Sequence, residues 1–327
     1  MCARFTLAVP DLAALIRMLE GAFGASAGPA AAIDVDPRAA AFYRPRYNIA
    51  PSSVHPVLRA RDGRRELVPA TWGFTARFAR GGAGPSLLAN ARAESARTKP
   101  TFRDAFAARR CVIPADGFYE WTGPKGARRP TWFHPAGGGL LRLAGLYQPA
   151  KDPDAGDTGV RFTILTTDAS ADVAEVHDRM PVLLAPGDVD LWLGAIGGVD
   201  PAQVEALLRP APRGTLAARA VSPRVNSVAH DGPDLLREAA AGSPAPEAAA
   251  GSAPEAAAGS APEAAAGSAP EAAAGFPAPG AASSRGAAPS ASAPGKAAAP
   301  RAGGTLPLFD LDGGAGPAVP SGRTPRR

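Results

Sequence analysis

Large apolar side chains run out well before the end of this chain. Trp72, Trp121, Trp132 and Trp192, and Tyr43, Tyr47, Tyr119 and Tyr147, all precede residue 193. From Ala239 onward the sequence is Ala, Gly, Pro and Ser with hardly any bulky apolar residue. Such a stretch buries too little surface to offset its conformational entropy. Folding is therefore confined to residues 2–238, enough for one sizeable core. Residues 239–327 are expected to form a disordered tail. Within it, Gly-Ser-Ala-Pro-Glu-Ala-Ala-Ala repeats three times from Gly251 to Ala274, after a looser copy at 242–250. Every copy carries Pro and Gly, and the repeat reads as a semi-extended linker.

Inside 2–238 the pattern is of many short strands and few helices. Residues 11–23 have helical periodicity, with Asp11 as N-cap and Gly24 just past the end. Val54–Arg59 and Arg65–Val68 flank Asp62-Gly63 and read as a hairpin. Arg110–Pro114, Gly117–Trp121, Leu141–Tyr147, Arg161–Thr167 and Val182–Leu184 read as further strands. Thr101–Arg109, Pro186–Leu193 and Pro201–Leu208 read as helices, and 25–41 as a surface loop. The expectation is a mixed α+β fold with a largely antiparallel, barrel-like sheet and a few flanking helices.

The formal net charge is +5, from 35 bases and 30 acids. The tail holds six of each, so the excess, 29 bases against 24 acids, lies in the folded part. A mildly basic, Arg-rich surface suits phosphate contacts, though a GC-rich genome gives the same composition. The two cysteines, Cys2 and Cys111, form no disulfide framework and fit a reducing, cytoplasmic setting. No signal peptide and no long apolar run is present, so no membrane association is expected. Neither the Cys and His spacing of a zinc site nor a Gly-rich phosphate loop occurs, so no metal and no cofactor are expected. A Gly-x-Ser-x-Gly elbow is also missing.

Four segments carry chemically capable side chains. If Met1 is removed, Cys2 presents an α-amine and a thiol on adjacent carbons. Unperturbed, these titrate near about 7.7–8.0 and about 8.5. A 1,2-aminothiol condenses with an aldehyde to an imine and then closes a thiazolidine, which no internal cysteine can do. Asn90-Ala91-Arg92-Ala93-Glu94 would set Asn90, Arg92 and Glu94 on one face if extended. Glu120, between Tyr119 and Trp121, sits where desolvation would raise its pKa and suit it to general acid/base work. His177, before Asp178-Arg179-Met180-Pro181, is a proton donor or acceptor near neutral pH. Taken singly, each has an ordinary alternative: a frayed terminus, a surface turn, a strand-end ion pair, a structural histidine.

In this order the segments resemble the SRAP family, the SOS-response-associated peptidase-like proteins that crosslink to abasic sites in single-stranded DNA. The resemblance rests on Cys2-x-Arg4-Phe5, Tyr47-Asn48-Ile49-Ala50-Pro51, Trp72-Gly73, Asn90-Ala91-Arg92-x-Glu94, Ala115-Asp116-Gly117-Phe118-Tyr119-Glu120-Trp121 and His177-Asp178-Arg179-Met180-Pro181. It implies that the Cys2 amine attacks the open-chain aldehyde of an abasic deoxyribose and that the thiol closes a thiazolidine. It further implies that Asn90 orients the sugar, Glu120 acts as acid/base in imine formation and reversal, and His177 assists proton transfer. Arg4, Arg92 and Arg179 become candidates for phosphate contacts, and Trp72 and Trp121 for stacking on bases. The third position, usually Gly in the family, is Ala3 here.

In the tail, Thr305-Leu306-Pro307-Leu308-Phe309-Asp310 resembles the bacterial sliding-clamp peptide, without its leading Gln. Leu306, Leu308 and Phe309 would tether the domain at replication forks. The expected protein is a monomer of the cytoplasm, nucleoid-associated in a bacterium, whose partner is single-stranded DNA with abasic sites. Two other classes stay open: a cysteine peptidase whose Cys2 is exposed by self-processing, and a noncovalent single-stranded DNA-binding module.

Overall fold

A computed structural model describes residues 2–23, 32–76, 87–150, 158–194 and 199–239. The chain opens with β1 (Arg4–Leu7), α1 (Leu12–Glu20), β2 (Ile33–Val35), α2 (Pro37–Phe42) and β3 (Arg46–Ile49). The hairpin of β4 (Val54–Arg61) and β5 (Arg64–Trp72) leads to β6 (Phe74–Thr75), β7 (Leu87–Leu88) and β8 (Asn90–Arg92). Next come α3 (Ala93–Ala96), α4 (Arg103–Ala108), β9 (Arg110–Ala115), β10 (Gly117–Thr122) and β11 (Arg129–Pro135). The last are β12 (Leu141–Pro149), β13 (Val160–Asp168), β14 (Arg179–Pro181), α5 (Val189–Leu193), α6 (Pro201–Ala206) and β15 (Leu216–Ala220).

Local chemistry sets many of these boundaries. The Asp11 carboxylate accepts from Ala14 N at 2.7 Å and caps α1, which buries Leu15 and Leu19. At the β4–β5 turn, Asp62 and Gly63 both take positive φ, 52° and 73°, the twist a two-residue hairpin prefers. Asp36 caps α2 with Pro37 in its first turn. That helix and β2 fall where the sequence suggests only a loop. The strand expected at Val182–Leu184 lies three residues earlier, as β14, and Leu183 makes a single bridge to Leu143.

Two larger sheets hold the fold. In one, β13, β12, β9, β4 and β5 pair antiparallel in that order around a ring, and a parallel β13–β5 contact closes it. This is the barrel, and β8 adds to it by pairing parallel with β13. The second sheet runs β15-β11-β10-β1-β3. Strand β10 is covered on both faces. Phe118 faces the main core with Phe5 and Phe133, whereas Tyr119 faces a smaller cluster with Trp132, Val221, Val225 and Leu235.

Asp116 pins the N-terminal strand. Asp116, at the bend between β9 and β10, accepts from the Thr6 hydroxyl and from Ala8 N at 2.6 Å, and donates its own N–H to Thr6 O at 3.0 Å. Gly117 beside it tolerates no side chain: a Cβ would lie 2.1 Å from Trp132 Nε1. Residues 240–327, including the repeats and the 305–310 peptide, lie outside the described residues.

Candidate functional site

Cys2, Asn90, Glu120 and His177 come from four separate parts of the chain. Cys2 precedes β1, Asn90 opens β8, Glu120 lies in β10 and His177 precedes β14. The first and third belong to one sheet, the others to the edge of the barrel. Asn90 is drawn beside β13 by the parallel register Ile164 to Asn90. Its Nδ2 donates to Cys2 O at 2.8 Å, bridging 88 positions of sequence. Its Oδ1 is buried and has no hydrogen-bond partner among the described residues.

Burial decides the protonation states. Cys2 is fully buried, and desolvation pushes its thiol well above the ordinary range, with the nearby Glu120 carboxylate adding to the effect. The resting sulfur is thus a thiol rather than a thiolate, and its contact is Arg4 O at 3.6 Å. Glu120 is 2% exposed, and burial raises its pKa to about 7. At neutral pH it is therefore divided between acid and base, the condition for efficient proton transfer both ways.

His177 closes the cluster. Its Nε2 lies 3.8 Å from Glu120 Oε2. Its Nδ1 accepts from the Arg179 backbone N–H at 2.9 Å, yet also lies 2.8 Å from Asp178 Oδ1, a contact that requires a proton on Nδ1. Burial lowers the pKa of His177, which favours the neutral ring. In that form Nδ1 is the acceptor and the proton sits on Nε2, toward Glu120; the exposed Asp178 would claim Nδ1 only in the imidazolium.

The candidates for DNA contact divide. Trp72 is fully buried, donates from Nε1 to Ala89 O at 2.8 Å, and stacks on Phe162 at 6.1 Å. It is a core residue with no face for a base, contrary to expectation. Arg4 is likewise spent on structure: it donates to Asn48 Oδ1 at 2.8 Å and Val225 O at 2.9 Å. Arg179 is held by two carboxylates, Glu94 at 2.9 Å and Asp168 at 2.6 Å. Arg92 is exposed, and Trp121 is half-buried with its N–H on Asn226 Oδ1 at 2.7 Å. Arg92, Glu94, Ser95, Lys99, Asp168 and Arg179 line one surface cavity. The strand ends at Arg92, so Glu94 lies in the first turn of α3 rather than sharing the face of Asn90.

Sequence reasoning passed over Asn226 and the segment around it. Its two 3-10 turns, Pro223–Asn226 and Pro233–Leu236, cover Tyr119 and Trp121. Asn48 Nδ2 reaches Ser227 O at 3.0 Å and His230 O at 2.8 Å. The one available signal was the paired Val225 and Leu235 among polar residues. Among the described residues no group of three His, Cys, Asp or Glu could hold a metal ion, and no helix is long and apolar enough to cross a membrane.

Comparison with known proteins agrees on one family. The sequence profile of the SOS response associated peptidase (SRAP) family matches residues 1–228. The chain is 34% identical over 196 residues to the abasic site processing protein YoqW of Bacillus subtilis strain 168, spanning 59% of this chain and 86% of that relative. It is 33% identical over 227 residues to the abasic site processing protein HMCES of Gallus gallus, spanning 59% of this chain and 66% of that one. A solved structure from Bacteroides thetaiotaomicron shares the fold at TM-score 0.58 and 19% identity, over 73% of this chain and all of that one.

Proposed function

The chain belongs to the SOS response associated peptidase family, and from that premise we propose that it processes abasic sites in single-stranded DNA by a covalent bond to Cys2. The observation that carries this reading is the convergence of Cys2 with Asn90, Glu120 and His177. The relatives named abasic site processing proteins support the substrate class.

The chemistry follows from the protonation states. Once Met1 is removed, the Cys2 α-amine attacks the C1′ aldehyde of the ring-opened sugar and gives a carbinolamine. Glu120 in its acid form donates a proton to the departing hydroxyl, water leaves and a protonated imine remains. Glu120, now a carboxylate, takes the thiol proton as sulfur attacks the imine carbon. The imine nitrogen ends as the ring amine of a thiazolidine. One water is lost overall, and no oxidant or reductant is needed. Neutral His177, with its proton on Nε2, serves the sugar oxygens at the rim. Asn90 fixes the Cys2 carbonyl, and its buried Oδ1 offers an acceptor to a sugar hydroxyl.

The raised thiol pKa favours this order over a peptidase reading. A cysteine peptidase needs a thiolate made by an adjacent base. Here burial and Glu120 both oppose the thiolate, so the amine attacks first and sulfur second.

Intact mass spectrometry after incubation with an abasic single strand tests the proposal. The expected product is a protein–DNA adduct lighter by one water than the sum. Cys2→Ala should give no stable adduct. Cys2→Ser should give one only after borohydride trapping, because its imine has no sulfur to close on. A wild-type protein with Met1 removed that forms no adduct would overturn the reading.

A further inference from the structure

The exposed hairpin between β10 and β11 extends the Glu120 strand and carries charge of one sign only. Residues 122–130 read Thr-Gly-Pro-Lys-Gly-Ala-Arg-Arg-Pro, three bases and no acid. We propose that Arg128 and Arg129 bind phosphates of the same single strand beyond the reacting nucleotide, which makes this hairpin a second backbone contact. The inference rests on the single-strand reading above.

Register sets the direction. Glu120 pairs with Thr131, and Thr122 pairs with Arg129. Directly opposed residues share a face, and a strand repeats its face every second residue. Arg129 therefore lies on the face of Glu120, two residues further out, or about 7 Å along the strand. Thr122 and Thr131 between them are half-buried, and Arg129 is exposed. The polar face thus runs outward from the buried carboxylate to a free-standing cation.

The hairpin is also held in place. Asn226 Nδ2 donates to Arg128 O at 3.3 Å while Asn226 Oδ1 accepts from Trp121 Nε1 at 2.7 Å. Gly123 turns the chain at φ 89°, where a Cβ would meet Ala127 O at 2.9 Å. A tip braced this way presents its side chains without first ordering its backbone.

Charge accounting points the same way. Arg4 is committed to a carboxamide and carbonyls, and Arg179 to Glu94 and Asp168. Arg128 and Arg129 are in no ion pair among the described residues, and both are exposed. Arg92 and Lys99 are exposed cations that line one cavity on the barrel side of the site.

Salt-dependent binding of an undamaged thymidine oligonucleotide, long enough to reach both sides, tests this in the full chain. For single strands each phosphate contact contributes about 0.7 to the slope of log K against log salt. The double variant Arg128→Ala, Arg129→Ala should lose about 1.4 of that slope and bind roughly tenfold more weakly at low salt. Arg128→Lys with Arg129→Lys should recover most of the slope. Crosslinking of an abasic trinucleotide, too short to reach the hairpin, should be unchanged in every variant. An unaltered slope overturns the inference, as does an equal loss of trinucleotide crosslinking, which would mean damage to β10. If wild-type protein forms no adduct yet the slope falls by about 1.4 in the double variant, the hairpin contact stands and the covalent reading fails.

Discussion

Asp116, half-buried, and Glu120, buried, are carboxylates four positions apart, and desolvation raises the pKa of both. Their partners separate them. Both oxygens of Asp116 are taken by fixed donors, the Thr6 hydroxyl and the Ala8 N–H, so its carboxyl is a latch on β1. Glu120 instead faces a titratable ring at 3.8 Å and a buried thiol. Desolvation alone therefore does not identify a reacting group. A carboxyl whose partners are fixed donors holds structure, and one whose partners change protonation moves protons.

The largest expected effect is on Glu120. Glu120→Gln should slow adduct formation and its reversal by on the order of 10²–10⁴-fold, the usual worth of a positioned acid/base. It should also remove the break in rate near pH 7 that follows from the raised pKa. Stability should move the other way. With a folded pKa near 7 against an ordinary 4.5, the folded state binds more protons between those values. Wild-type stability is then full below about pH 4.5 and falls as pH rises through 7, by on the order of 3 kcal/mol. The Gln variant should lose that slope and melt higher than wild type at pH 8. Thermal melts from pH 5 to 8 give the answer. A Gln variant with unchanged kinetics and an unchanged pH slope would make Glu120 a second latch.

Asp116→Asn should show the reverse pattern. Asn keeps one acceptor and puts an amide where Ala8 N–H needs an oxygen. Leaving that half-buried donor without a partner costs about 1 kcal/mol, the low end for a buried group. In a domain of this size each kcal/mol is worth about 2–4 °C of Tm. Below the transition, crosslinking should slow by less than tenfold, because the reacting groups are intact. Equal rate losses in the two variants, with Tm unchanged in Asp116→Asn, would break the distinction.

The sequence reveals the members of this contrast unevenly. Glu120 was legible because its aromatic neighbours imply burial, and the order of Cys2, Asn90, Glu120 and His177 along the chain fits the family. Asp116 was not, since its partners lie 108 and 110 positions away and no local pattern encodes them. Strands β1 and β11 escaped notice for a related reason: each is short or covered on both faces, so apolar and polar residues do not alternate. Trp72 and Arg4 show the opposite failure. Residue type suggests stacking and phosphate binding, but which side of a sheet a side chain occupies depends on register. Trp72 falls against Phe162, and Arg4 against Asn48.

The smallest effect concerns the residue between the latch and the nucleophile. If Asp116 alone positions β1, the backbone at Ala3 needs no special freedom. Ala3 is exposed, and the non-glycine residues with positive φ among those described are Ser52 and Asp62. The family's usual glycine is therefore not required here for a left-handed turn. Ala3→Gly should change the crosslinking rate less than about twofold and lower stability by about 0.4–1 kcal/mol through the freer unfolded chain. A tenfold faster reaction in Ala3→Gly would instead show that the methyl group obstructs the approaching strand. In that case β1, although correctly latched by Asp116, would still present Cys2 behind a steric barrier of its own.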